Sequence, residues 1–167
     1  MSVVINGTGS ISGLSNVGGV ASAQSGSIIQ TVTANLTSNT SFVTSASYAD
    51  IGLSATITPQ FSTSKILILI AVQGISTSLP TTIDTVSLIL TDGSNNSLVS
   101  IGGPNIPGYN QAPYYAQPFT YVHSPATTSA FTYKVRGKSS AQTWQINNIN
   151  ISMPNPNSSI TLMEIAQ

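Results

Sequence analysis

The chain of 167 residues contains no cysteine, which excludes disulfide bridges and thiolate metal sites. Charge is also scarce: four Lys or Arg and four Asp or Glu make up 5% of the residues, against about a quarter in an average globular chain.

The first basic residue is Lys65, so the start lacks the charged segment of a secretory signal, which predicts folding in a cytoplasm. The longest apolar run, seven residues, is far below the roughly 20 that cross a bilayer, so we expect no membrane partner.

These shortages restrict the partners of the chain. With no excess of positive charge there is no basic patch for a phosphate backbone, so we expect no nucleic-acid binding. Ser, Thr and Asn account for 60 residues and must supply most of the polar surface. A neutral surface of this kind promotes self-association of a free domain, which predicts an oligomer or a larger assembly.

Residues that carry chemistry are few and scattered. His123 is the single histidine, and the acids are Asp50, Asp84, Asp92 and Glu164. No Gly-x-Ser-x-Gly elbow joins a strand to a helix, no two carboxylates are paired, and no acids cluster with the histidine. The sequence therefore predicts a protein that is not an enzyme and holds no metal or cofactor.

The apolar run Ile66 to Val72 is the centre of the predicted fold. It contains only aliphatic residues and is bounded by Pro59 before it and Gly74 after it. An uninterrupted branched run of this length is typical of an interior strand covered on both faces. We therefore expect Leu69, as well as its neighbours, to lie in the core.

The rest of the chain reads as short alternating segments between Pro- and Gly-rich turns, and no segment shows a capped helical period. The pattern predicts an all-β fold, a single antiparallel β-sandwich that is jelly-roll-like, over residues 27–167. Strand order cannot be read from the sequence. The other predicted strands are Ser27 to Leu36, Ser41 to Thr44, Tyr48 to Thr58, Asp84 to Thr91, Leu98 to Ile101, Phe119 to His123, Phe131 to Arg136, Trp144 to Ile151 and Ser159 to Ile165.

Residues 1–26 form a Gly- and Ser-rich N-terminal arm. So much glycine disfavours an independently folded unit, although a few apolar residues recur along the arm. Two interpretations stay open: a loose tail, and an extended arm that becomes ordered on a neighbouring subunit. In the second, the partner-binding residues are Val3, Val4, Ile5, Ile11 and Leu14.

Residues 102–118 form the longest irregular stretch, and this length favours a functional or interface loop. Tyr109, Tyr114 and Tyr115 lie in it, and exposed tyrosines anchor interfaces and stack on sugar rings. Phe119 and Tyr121 follow and are expected in the core, whereas the role of the three loop tyrosines stays open.

Several segments, taken in order, resemble a domain frequent in virion proteins of tailed phages, many of them cyanobacterial. They are Gly26 to Gln30, Ser45 to Ser54, Ser62 to Ile68, Tyr121 to Val135 and Ser159 to Ile165. The domain is often described as tail fibre and occurs also in exposed head proteins. The resemblance covers residues 26–167 and implies a structural protein of the phage particle.

The resemblance implies capsid or tail proteins as partners, a location in the virion and a homotrimer. A capsid decoration, or cement, protein that clamps neighbouring shell subunits is the favoured interpretation, because the chain is one short domain with an arm and no stalk. The alternative is a tail-fibre or receptor-binding tip protein that recognises host surface glycan, with the tyrosine loop as the contact site.

Overall fold

The computed structural model describes residues 16–17, 20–21, 24–43, 45–77, 83–107, 114–148 and 156–167. In these ranges the regular structure consists of strands alone. The strands are β1 (Asn16–Val17), β2 (Val20–Ala21), β3 (Ile28–Leu36), β4 (Thr40–Phe42), β5 (Ala49–Ile57), β6 (Lys65–Thr77), β7 (Asp84–Asp92), β8 (Ser97–Gly102), β9 (Asn105–Ile106), β10 (Tyr115–His123), β11 (Phe131–Ser139), β12 (Trp144–Ile146) and β13 (Ser158–Ile165).

Eight strands build the sandwich, and they pair from the outside of the chain inwards. The first of them pairs with the last (β3 with β13) and the second with the seventh (β5 with β11). The third pairs with the sixth (β6 with β10), and the fourth and fifth form the hairpin of β7 and β8. All pairs are antiparallel and form two sheets, β3-β13-β6-β10 and β5-β11-β7-β8. This nested pairing is the jelly roll, so the predicted fold class is confirmed.

The remaining strands are short. β12 pairs with the last residues of β6 and with β4, which extends the first sheet, and β9 pairs with the start of β7. Inside the predicted arm, β1 and β2 pair with each other in a four-residue ladder. Among the arm residues that the structure describes, this ladder is the regular structure.

The core lies between the two sheets and is formed by alternate residues of each strand. On β5 the inward residues Ile51, Leu53, Ala55 and Ile57 are buried, as the alternation predicts. β6 contributes Ile66, Ile68, Ile70 and Val72, and β10 and β13 flank it, which confirms its interior position in the sheet.

The expectation that β6 is covered on both faces is wrong. Leu67 and Ala71 are half-buried and Leu69 is 37% exposed, because these residues point away from the second sheet. A jelly roll has only two layers, so the outer face of even an interior strand has no third layer to cover it. The apolar run is therefore continuous because the outer surface of β6 is apolar as well as its inner surface.

Trp144 fills one end of the core. Its ring is fully buried and stacks on Phe42 with 4.5 Å between ring centroids. Gly137 on β11 faces the indole so closely that an added Cβ would lie 2.4 Å from the ring. Only glycine fits this close approach, so a residue that looks like a strand defect in the sequence is needed for packing.

The connections divide between the two ends of the sandwich. Residues 37–48, 78–83, 103–114 and 140–157 connect strands at one end, here called the long-loop end. Residues 58–64, 93–96 and 124–130 connect them at the other, the short-loop end. The chain also enters β3 there, where the Gly26 amide donates to the Ala166 carbonyl at 2.7 Å. A nine-residue strand separates the ends by about 30 Å.

Several strand boundaries differ from the predicted ones: β6 continues to Thr77 and β11 to Ser139, and β10 and β12 differ most. β10 begins at Tyr115, earlier than the predicted Phe119, since Pro118 occupies an edge strand that needs no amide there. β12 ends at Ile146, because buried Asn147 takes φ +52° and leaves the strand. Its amide group donates to the carbonyls of Leu36 and Ser38. The predicted strand residues 149–151 lie outside the described ranges.

Candidate interaction surfaces

The predicted site residues fall in different places. The arm residues Val3, Val4, Ile5, Ile11 and Leu14, and the loop residue Tyr109, lie outside the described residues. Tyr114 is 39% exposed at the long-loop end, whereas Tyr115 is half-buried and packs against the core. Gly26, where the chain enters the sandwich, lies at the short-loop end, opposite Tyr114.

The outer face of the sheet β3-β13-β6-β10 carries a regular grid of uncharged side chains, here called the neutral face. Three outward positions on each strand align in register across the sheet. The rows are Thr31, Met163, Leu67 and Val122; Thr33, Thr161, Leu69 and Thr120; and Asn35, Ser159, Ala71 and Pro118.

The grid is apolar on one half and hydroxylated on the other. Leu69, on an interior strand, is 37% exposed, and Val122, on the edge strand β10, is 48% exposed. On the β3 side, the hydroxyls of Thr33 and Thr161 lie 3.0 Å apart in a hydrogen bond. No position of the grid is ionisable, and the nearest outward charge along β6 is Lys65 at the short-loop end. Such a face suits contact with another neutral protein surface.

The outer face of the second sheet has the opposite character and is called the charged face. Successive outward residues of β11 are Lys134, Arg136 and Lys138, three of the four cations in the chain. Lys134 Nζ lies 3.9 Å from an Asp50 carboxylate oxygen, while Arg136 and Lys138 donate to the carbonyls of Tyr48 and Ala46. The cations thereby hold the segment before β5 against the sheet.

Two of the four acids are buried and have structural roles. Asp84 is fully buried and accepts hydrogen bonds from the amides of residues 140–142 and from the Ser140 hydroxyl. Glu164, also fully buried, accepts a 2.7 Å bond from the Gln60 amide at the opposite end. Each carboxylate thus closes a loop on the sandwich.

His123 ends β10 in a cluster of aromatic rings. Its Nδ1 shares a 2.9 Å hydrogen bond with the Tyr133 hydroxyl, and the rings of Tyr121 and Phe131 lie beside it. Burial lowers the pKa of His123, and burial with a smaller effect of Tyr121 raises the pKa of Tyr133 well above its usual range. The histidine is therefore a link between the two sheets.

The lowered pKa of His123 predicts a pH-dependent stability. Because the unfolded chain binds this proton more readily, stability is full above the unfolded value of 6.5. It falls as the pH drops through 6.5 towards the lower folded pKa. We expect the urea midpoint to decrease between about pH 7 and pH 5, before most carboxylates titrate.

The matched variant for this test is His123→Gln, which keeps a polar side chain but has no ionisable group. Its midpoint should be lower at neutral pH and nearly constant from pH 7 to pH 5. An equal decrease in both proteins would assign the pH dependence to another group.

Among the described residues, no three His, Asp or Glu side chains lie close enough together to hold a metal ion. The same ranges contain no helix that is long and apolar enough to span a membrane. The neutral face and the charged face remain as the surfaces that distinguish this sandwich chemically.

The sequence did not reveal the neutral face, although Leu67, Leu69 and Ala71 were its signal. The sequence predicts a core position for these outward residues because the run is apolar on both sides. The alternation of Lys134 and Arg136 was visible in the sequence, but the predicted strand stopped before Lys138. The neutral face depends on the register of four neighbouring strands.

No protein-family model matches the chain, and no curated protein sequence matches it either. Solved structures with similar folds include the VP2 subviral particle of infectious bursal disease virus, with 14% identity and a TM-score of 0.45 over 84% of this chain and 34% of that one. The Gt strain of that virus shows 12% identity and a TM-score of 0.45, over 84% and 39% of the respective chains. T=1 particles derived from the virus show 12% identity and a TM-score of 0.43, over 84% and 38%.

The chain thus spans little more than a third of the length of these viral proteins. At such low identity the likeness concerns the fold, and the fold itself rests on the strand pairing described above. The chain is an eight-stranded jelly roll with one neutral and one charged face.

Proposed function

We propose that the chain is a structural protein of a phage virion, and that it decorates the capsid by clamping neighbouring shell subunits. The observation that carries this proposal is the neutral face. A free domain with so few charges is stabilised when such a face is buried. A shell surface of apolar and hydroxyl side chains would cover the face without burying an unpaired charge. The resemblance of residues 26–167 to virion domains of tailed phages supports the same role.

The size of the neutral face supports a role for the arm. Four strands about 4.8 Å apart and three rows about 6.7 Å apart give a projected area of about 400 Å². A standard protein interface buries about 800 Å² on each partner, so the face alone is too small for a stable complex. Apolar contacts of Val3, Val4, Ile5, Ile11 and Leu14 with a neighbour would supply the remainder.

The reach of the arm is compatible with this role. Residues 1–15 span up to about 50 Å when extended, more than the height of about 30 Å of the sandwich. An arm of this length that starts at the short-loop end reaches past its own domain to an adjacent molecule. A homotrimer belongs to the same proposal, because copies around a threefold axis would place three arms and three neutral faces on one shell site.

Point charges on the neutral face provide the sharpest test. Leu69→Lys and Val122→Lys should each weaken binding to phage heads that lack the protein by at least about tenfold, because a buried unpaired charge costs several kcal/mol. The control is Ser100→Lys, which adds the same charge at an exposed position of β8 on the other sheet. It should bind within about twofold of the wild type, and all variants should unfold at similar urea concentrations.

Equal binding of all four proteins would reject the neutral face as the docking surface. Antibody labelling of purified particles tests the function separately: label over the head supports decoration, and label confined to the tail contradicts it. Light scattering of the free protein tests the trimer. A monomer mass at micromolar concentration would contradict the proposed homotrimer.

A second candidate function is a tail-fibre or receptor-binding tip protein. The observation that favours it is the gathering of the long connections at one end, with exposed Tyr114 among them. Tyrosines on such an end are suited to stack on the sugar rings of host surface glycan. Under this function the neutral-face variants would leave host binding unchanged, whereas Tyr114→Ala would reduce it.

A further inference from the structure

The charged face carries a small pocket beside the last residues of β11. Its volume is about 290 Å³, near the lower end of the range for small-molecule sites. The lining is rich in hydroxyl groups and contains one cation. The residues are Ser45, Ala46, Thr85, Ser87, Lys138, Ser139 and Ser140.

The hydroxyls around the pocket are held in defined positions by the strands and by Asp84. Ser140 Oγ donates to the Asp84 carboxylate at 2.7 Å and accepts from the Thr85 amide at 3.0 Å. Thr85 Oγ1 donates to Asn105 at 2.8 Å, which leaves its lone pairs available to a ligand. Ser45 Oγ accepts from the Ser47 amide at 3.1 Å and keeps its own proton to donate. The pocket therefore offers both acceptors and donors.

Lys138 supplies the only positive charge of the lining. Its Nζ lies 4.8 Å above the Tyr48 ring and 3.4 Å from the Ala46 carbonyl, so the ammonium group is positioned by a cation–π contact and one long hydrogen bond. An ammonium group has three donors, which leaves two for a ligand. Ser87 faces it directly across the β7–β11 ladder.

These features together define the chemistry of an occupant. Fixed acceptors and donors match the hydroxyl groups of a sugar, which both donate and accept, and the Lys138 ammonium matches one carboxylate. The buried Asp84 behind Ser140 disfavours a more highly charged anion such as phosphate. We propose that this pocket binds a sugar acid, a monosaccharide unit that bears one carboxylate. The proposal does not depend on decoration, since the pocket lies on the face opposite the neutral face.

The test is a titration of the isotope-labelled protein with glucuronate, followed by amide chemical shifts. We expect a dissociation constant of about a millimolar, with shifts confined to the pocket residues, and weaker binding of glucose by about tenfold. Binding of the methyl glycoside of glucuronic acid would identify the terminal sugar of a glycan as the source. Binding of the free acid alone would identify a soluble sugar acid, and either result supports the proposal.

Two cations on the same strand provide matched variants. Lys138→Gln should weaken glucuronate binding about tenfold, whereas Lys134→Gln removes the same charge near Asp50 and should leave it within about twofold. Ser87→Ala keeps both cations and should also weaken glucuronate binding. It tests the pocket independently if Lys138→Gln does not fold. The proposal is overturned by an absence of shifts at about 50 mM glucuronate, by equal affinity for glucose, or by equal losses in the two lysine variants.

Discussion

Ile68→Ala should destabilise the domain by roughly 2–5 kcal/mol, whereas Leu69→Ala, one residue further along the same strand, should cost about 1 kcal/mol or less. Ile68 is fully buried between the sheets, so its truncation leaves a cavity in a close-packed core. Leu69 points outwards and already exposes 37% of its surface, so truncation removes only contacts with its neighbours on the sheet. Both changes delete aliphatic side chains of similar size from an interior strand of the same sheet.

Urea unfolding followed by circular dichroism gives both free energies on one scale. Each variant should retain the m-value of the wild type, since the surface exposed on unfolding is nearly unchanged. Equal losses for the two variants would mean that the outer face of β6 is covered in the free protein, as the apolar run alone had predicted. The neutral face would then be internal and unavailable for docking.

Asp84→Ala should destabilise the domain by roughly 2–4 kcal/mol, because it leaves several loop donors without an acceptor. One carboxylate oxygen accepts from the Ser140 amide and hydroxyl and from the Ala141 amide, and the other accepts from the Gln142 amide at 3.0 Å. Residues 140–142 lead from β11 towards β12 and Trp144. Their release therefore weakens the attachment of the buried indole as well.

The matched variant is Asp84→Asn, which keeps one oxygen in place and should lose less than Asp84→Ala. Hydrogen exchange separates the local effect from the global one. Relative to the wild type, exchange in Asp84→Ala should accelerate more at the amides of residues 140–142 than at those of β6. If both variants were as stable as the wild type, water would be replacing the carboxylate and Asp84 would not hold this loop.

The sequence by itself determined the all-β class and the inward residues of the strands that alternate strictly. Alternation is a local property of about eight residues, so Ile51, Leu53, Ala55 and Ile57 could be assigned to one buried face without knowledge of any partner strand. The low charge and the absence of cysteine were equally direct, because composition does not depend on the fold. The trimer is a prediction that light scattering addresses, and the partner contacts of the arm residues Val3, Val4, Ile5, Ile11 and Leu14 stay a prediction.

Only the tertiary structure decided which strands pair and which side chains are neighbours. The nested pairing brings β3 to β13 across more than a hundred residues, and no local pattern encodes that choice. The same pairing aligns Thr31, Met163, Leu67 and Val122 in one uncharged row and sets the cations of β11 against the segment before β5. It also puts Gly26 and Tyr114 at opposite ends and buries Asp84 against a loop. Each of these features depends on contacts between distant segments, which a pattern of neighbouring residues does not contain.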